Sequence, residues 1–133
     1  KQVDSFRSIN TRTNITNFFY GNLWNVQGKK SIFFSLENLL ILQNYLNNKN
    51  IDFYIVLYPW PFELSDSIPR KNYLNFLLPL LKKNNLNYID SYSLYLKGDV
   101  YSNISENYLY NDVHFNSNGY KILGDFIFKE IFD

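Results

Sequence analysis

The sequence predicts an α/β layer fold built on a short parallel sheet, and three observations lead there. Residues 51–58 (Ile-Asp-Phe-Tyr-Ile-Val-Leu-Tyr) are almost continuously apolar and partly β-branched, which predicts a strand buried on both faces. A second brief apolar run follows at residues 86–89. Segments with apolar residues at helical spacing precede, separate and follow these runs, so the order reads helix–strand–helix–strand–helix. Two strands cannot cover three such helices. The fold is therefore expected to be incomplete, with further strands supplied by a segment upstream of Lys1.

Residues 1–30 form an irregular, Asn-rich N-terminal segment, except that Phe18, Phe19, Tyr20, Leu23 and Trp24 are expected to pack as a short element. Ser31 suits the N-cap of a helix reaching about Asn48. In that helix Phe33, Leu36, Leu40 and Tyr45 recur at near-helical spacing, and Leu39, Leu42 and Leu46 widen the stripe. Asn47-Asn48-Lys49-Asn50 supplies turn chemistry, and the first strand follows. Pro59 and Pro61 stop it, because proline cannot donate to a ladder. Residues 62–68 read as a loop.

Pro69 opens the second helix, carried by Tyr73, Leu74, Leu77, Leu78 and Leu81. Pro79 lies inside it and predicts a kink or an early end. After the second strand comes Asp90, then a short helix over 91–96 and irregular chain over 98–110. The last helix is expected over 117–132, capped by Asn116, with Tyr120, Leu123, Ile127 and Ile131 on one face. The whole reads as a single domain without internal repeats.

Composition narrows the function. Apolar residues make up 46% and aromatics 20%, enough for a real core in 133 residues. A net charge of +1 without a basic stripe argues against a nucleic-acid partner or an anionic membrane surface. No apolar run approaches the roughly 20 residues that span a bilayer. With no cysteine, disulfides, thiolate metal sites and a cysteine nucleophile are excluded. No glycine-rich strand–turn–helix loop supports a nucleotide, and no cofactor is implied. The sequons at Asn14 and Asn103 carry little weight in so Asn-rich a chain.

The stretch Asn111-Asp112-Val113-His114-Phe115-Asn116-Ser117-Asn118-Gly119-Tyr120 is the most informative. His114 is the only histidine, two residues after a carboxylate and just ahead of a capped helix. Imidazole is the natural general base at neutral pH, and it needs an acceptor for its other ring N–H. Asp112 could be that acceptor if the loop curls back. On spacing alone a lone histidine in a loop is more often solvated or structural than catalytic, with Asp112 closing an Asx-turn.

Asp-Val-His-Phe-Asn followed by Gly119-Tyr120 and an amphipathic helix resembles the last block of SGNH/GDSL hydrolases. Together with the strand ending Ile-Val-Leu-Tyr-Pro-Trp-Pro, the resemblance covers roughly residues 33–132. It implies the C-terminal part of a three-layer, flavodoxin-like fold and a serine ester hydrolase or O-acyltransferase. Asp112 would orient His114, and His114 would act as general base and then acid. Many members place the Asp three residues before the His, where this chain has Asn111; an amide there cannot offset imidazolium charge. The form found here is similar to a bacterial branch of O-acyl esterases and acyltransferases, which implies a small-molecule or carbohydrate ester as substrate.

Tyr58 and Trp60 stand at the carboxyl end of the first strand, where open α/β sheets bind ligands, and are the candidate substrate-binding residues. Trp60 offers a flat surface for a sugar or acyl group, although on chemistry alone a rigid strand-ending turn with Trp60 in the core is the favoured reading. The family's nucleophile sits in a Gly-Asp-Ser block. Val3-Asp4-Ser5-Phe6 imitates it, but β-branched Val3 replaces the glycine a tight elbow needs, and no apolar strand precedes Ser5. The nucleophile and oxyanion hole are accordingly expected upstream. Two other readings stand beside this one: a non-catalytic α/β interaction module, and a metal site through Asp112, His114 and Asp90 or Asp125, for which a single imidazole is thin.

Overall fold

A computed structural model describes residues 23–132. The expectations for Ser5, for Phe18, Phe19 and Tyr20, and for the sequon at Asn14 lie outside these residues.

The chain enters through a π-helical stretch, Trp24–Gly28, that runs directly into helix α1, Lys29–Asn47. Ser31 is thus an interior residue and not a cap. Trp24 is buried with its ring edge-on to Phe76, 5.8 Å between centroids, and this contact carries the helix back beyond Ser31. Leu36 is buried and Ile32, Leu39 and Leu40 pack beside it. Phe33, Leu42 and Tyr45, assigned to the stripe by spacing, are exposed.

Strand β1, Tyr54–Leu57, pairs in parallel with β2, Asn87–Asp90, with Tyr54 opposite Asn87 and Leu57 opposite Asp90. This is the whole sheet among the described residues. The chain is therefore an α/β fold, mostly helical, around one strand pair. Because side chains alternate across a strand, Ile55 and Leu57 point to one face and Val56 to the other. Ile55 and Leu57 meet Leu36, Leu77 and Leu81. Val56 packs against Leu64, Tyr95, Ile104, Tyr108, Phe115 and Leu123. Only Leu57 of β1 is fully buried, and Tyr54 is exposed. Burial on both faces thus falls short of expectation at the entry end of the strand, where cover is thin.

Residues 62–68 are not a loop. Helix α2, Pro61–Ser65, follows β1 after three residues, and helix α3 spans Ser67–Lys83. The start of α3 is set by Asp66, whose carboxylate accepts the Ile68 N–H, two residues ahead of the position expected from Pro69. Pro69 still falls in the first turn, where its missing N–H costs nothing. Pro79 does not end α3. Its absent N–H frees the carbonyl of Asn75 at an exposed position, where water can serve it.

Beyond β2, helix α4 covers Tyr92–Tyr95 and helix α5 Val100–Asn107, where irregular chain was expected. Asp99 starts α5 by accepting from the Ser102 N–H at 2.8 Å and its hydroxyl at 2.7 Å. Helix α6, Ser117–Phe132, begins where predicted. Asn116 caps it by accepting from the N–H groups of Asn118 and Gly119. Leu123 joins the core, whereas Tyr120 stands outside it. No helix among the described residues is long and apolar enough to cross a membrane.

Candidate active site

The carboxyl ends of the two strands are knitted together first. Ser91, fully buried, donates both its N–H (3.0 Å) and its hydroxyl (2.8 Å) to the Leu57 carbonyl. Beyond Leu57 the chain turns through Tyr58-Pro59-Trp60. Glu63 holds that turn: its Oε2 accepts the Trp60 N–H at 2.8 Å, while the Glu63 N–H returns to the Trp60 carbonyl at 2.9 Å. The other carboxylate oxygen accepts the Tyr92 hydroxyl at 3.0 Å. Burial pushes the Glu63 carboxyl above its ordinary range, against the lowering by Trp60, Tyr92 and nearby Arg70.

The Asp–His segment sits on a second frame. Tyr108 and Phe115 face each other as an antiparallel bridge, closed by Leu109 N–H to the His114 carbonyl (3.0 Å) and Asn116 N–H to the Asn107 carbonyl (2.9 Å). Residues 109–114 form the loop of this hairpin, with Asn111 at a left-handed φ of 58°, a region asparagine tolerates. Phe115 plugs the loop into the core. Its buried ring stacks on Tyr95 at 4.8 Å and meets Tyr108 at 4.5 Å, Tyr58 at 5.5 Å and Tyr120 at 5.6 Å.

Within the loop, Asp112 Oδ1 lies 2.6 Å from His114 Nδ1. The same oxygen accepts the N–H groups of Val113 and His114, so the Asx-turn and the ring contact are present together. These bonds, the ring contact foremost, hold the Asp112 carboxyl below its usual range. Both side chains are accessible, His114 at 62% and Asp112 at 44%. A carboxylate on Nδ1 fixes the tautomer and leaves Nε2 to exchange a proton with a partner.

Of the four residues singled out by sequence, Asp112 and His114 are in direct contact, and Tyr58 reaches the same loop through Phe115. Trp60, half-buried, turns its ring to Phe62, 5.9 Å between centroids. Asp90 accepts the Tyr92 N–H and Asp125 pairs with Lys121. Among the described residues no three metal-ligating side chains assemble.

Sequence reasoning missed Glu63, Tyr108 and Asn107. Glu63 carried a readable signal, lying three residues after the strand-ending turn, at the helix position that reaches back to a cap. Compared with protein-family models, with curated proteins and with solved structures, the chain matches none.

Proposed function

We propose that this chain carries the Asp–His half of a serine ester hydrolase or O-acyltransferase of SGNH/GDSL type. Its strand pair would be the last part of a flavodoxin-like sheet, and the nucleophile and oxyanion hole would lie upstream. The observation that carries the reading is the 2.6 Å contact from Asp112 Oδ1 to His114 Nδ1, on an accessible ring, in a loop tied to the turn that ends β1 through Phe115 and Tyr108.

The chemistry follows. His114 Nε2 takes the serine proton as the hydroxyl oxygen attacks the ester carbonyl. Asp112 stabilises the imidazolium that results, and His114 then returns the proton to the departing alkoxide. Attack by water on the acyl-enzyme, again through His114, completes hydrolysis; attack by a sugar hydroxyl completes transfer. As exposed as it is here, the pair is worth little electrostatically, because water screens it. An upstream segment covering it would strengthen the same contact.

The test is turnover of p-nitrophenyl acetate by the full-length protein and its His114→Ala variant. The reading requires loss of nearly all turnover in the variant, and equal turnover by both proteins removes His114 from the mechanism. A non-catalytic interaction module is favoured by one observation, the exposed Phe34, Ile41 and Tyr45 along α1. The same assay separates it, since a module turns over no ester.

A further inference from the structure

Asn116 does more than cap α6. A side-chain amide has two N–H donors and two acceptor lone pairs, and here all four are engaged. Oδ1 accepts from Asn118 N–H at 2.9 Å and from Gly119 N–H at 3.0 Å. Nδ2 donates to the Glu106 carbonyl at 2.8 Å and to the Tyr108 carbonyl at 3.4 Å. Its backbone N–H adds a fifth bond, to the Asn107 carbonyl.

These partners lie on both sides of the loop that holds His114. Glu106 and Asn107 end α5, and Tyr108 opens the hairpin; Asn118 and Gly119 belong to the first turn of α6. The two ends are further locked by Asn118 Nδ2 donating to Asn107 Oδ1 at 2.8 Å, and by the buried Tyr95 hydroxyl donating to the Gly119 carbonyl at 3.0 Å. A cap needs only the Oδ1 half of this arrangement. The Nδ2 half has a different consequence, since it fixes the separation of the hairpin strands that place Asp112 against His114.

We infer that Asn116 is a positioning residue for His114, its amide clamping the hairpin so that the imidazole meets the Asp112 carboxylate. The inference rests on the proposed function for its catalytic meaning, while its geometric content stands by itself. Asn116→Asp separates the two halves of the residue. It keeps the oxygen that caps α6, loses both donations and sets a carboxylate against two carbonyls. Asn116→Ser keeps a capping hydroxyl that cannot span to Glu106.

The experiment is ¹⁵N and ¹H NMR of the His114 ring in the wild-type chain and both variants, with thermal melts alongside. The wild-type ring is expected to carry its proton on Nδ1, seen as ring nitrogen shifts displaced from tautomer-averaged values and an Nδ1 proton that exchanges more slowly than that of a free imidazole. In a folded Asn116→Asp protein, and in Asn116→Ser if the first fails to fold, that proton is expected to exchange at least tenfold faster, with the ring nitrogens moving toward averaged tautomer shifts. A folded variant with the wild-type signature overturns the inference. Failure of both variants to fold also overturns it, by making Asn116 a residue of the fold alone. A wild-type ring lacking the signature sinks the Asp112–His114 pairing itself, a distinguishable failure. In the full-length esterase the same variant should lower kcat at least tenfold with KM little changed.

Discussion

The hydroxyl of Tyr108 donates to the carbonyl of Pro59 across 2.6 Å, joining the strand that leads into the His114 loop to the turn that ends β1. Both residues are buried. The two segments are 49 residues apart in sequence, and this bond with the Tyr58–Phe115 ring contact is what brings them together. Burial, and after it the neighbouring Tyr95, Glu63 and Tyr58, push the Tyr108 hydroxyl far above its ordinary value, so it stays a donor at every pH of interest.

Replacing Tyr108 with Phe keeps the ring packing and leaves the buried Pro59 carbonyl without its partner. The expected loss of stability is about 1–3 kcal/mol, the cost of an unsatisfied buried acceptor. Urea denaturation of the two proteins measures it. A difference below the error of the fit would mean that water replaces the hydroxyl, and that the turn is held by Glu63 and packing instead.

Glu63 gives stability a pH dependence whose sign is fixed by its environment. Its carboxyl is raised in the folded protein from an ordinary value of 4.5, so between the unfolded and folded values the native state binds more protons. Stability attached to this group is fully present below the unfolded value and declines as pH rises through the folded one. The charged or titratable neighbours include Arg70, Tyr92, Tyr108 and Tyr73, the last pushed up to about 12 by burial and then by Glu63. Glu63→Gln can accept from Trp60 N–H and donate to the Tyr92 oxygen, so it keeps the clamp without the charge. Melting curves from pH 4 upward should show the wild type losing ground to the variant across this window. Parallel curves would remove Glu63 as the source of the slope.

Asp112 works in the opposite sense. Its carboxyl is held below the ordinary 3.8, led by the hydrogen bond with the His114 ring, so its contribution is present above the unfolded value and lost as pH falls through the folded one. Asp112→Asn can still accept the backbone N–H groups of Val113 and His114, and the turn should survive. Stability near neutral pH should then move by no more than about 0.5 kcal/mol, as expected of an accessible pair. If the proposed function holds, turnover in the full-length protein should fall on the order of a hundredfold or more, because an amide cannot offset imidazolium charge. A large loss of stability with turnover intact would make Asp112 a loop-builder only.

The parts of the fold legible in the sequence are those whose determinants are local. Helix α6 could be read because Asn116, the amphipathic run after it and the absence of proline all lie within one segment. Both strands were legible from short apolar runs with turn chemistry on either side. Helix α5 was not read, although Asp99 and Ser102 form a cap pair and Val100, Ile104 and Tyr108 recur every four residues; the surrounding Asn and Ser outweighed a two-turn signal. Leu42 and Tyr45 continue the apolar pattern of α1 but face outward, because spacing says which residues share a stripe and not what lies opposite it. At the site, the closeness of Asp112 and His114 followed from a two-residue gap. The Phe115 cluster and the Glu63 clamp depend on partners between 3 and 57 residues apart in number, as Tyr58 and Phe115 show, and no local pattern encodes the distant ones.

Two glycines of α6 provide an internal contrast. A Cβ built on Gly119 would lie 2.2 Å from the Asn107 carbonyl oxygen and 2.7 Å from Phe115 Cδ1, one a backbone atom and the other part of a buried ring. Neither can yield cheaply, so Gly119→Ala should cost about 1–3 kcal/mol, the usual penalty for overpacking. A Cβ on Gly124 meets nothing within 4 Å, and there alanine should stabilise the exposed helix by roughly 0.5–1 kcal/mol through lower backbone entropy in the unfolded chain. Because Gly119 packs on the hairpin that carries His114 and Gly124 does not, only the first should disturb the His114 ring signals. Denaturant midpoints and NMR spectra of both variants test the pair together. Equal effects at the two positions would show that the first turn of α6 is not seated on Asn107 and Phe115, and the placement of the His114 loop would have to be sought in other contacts.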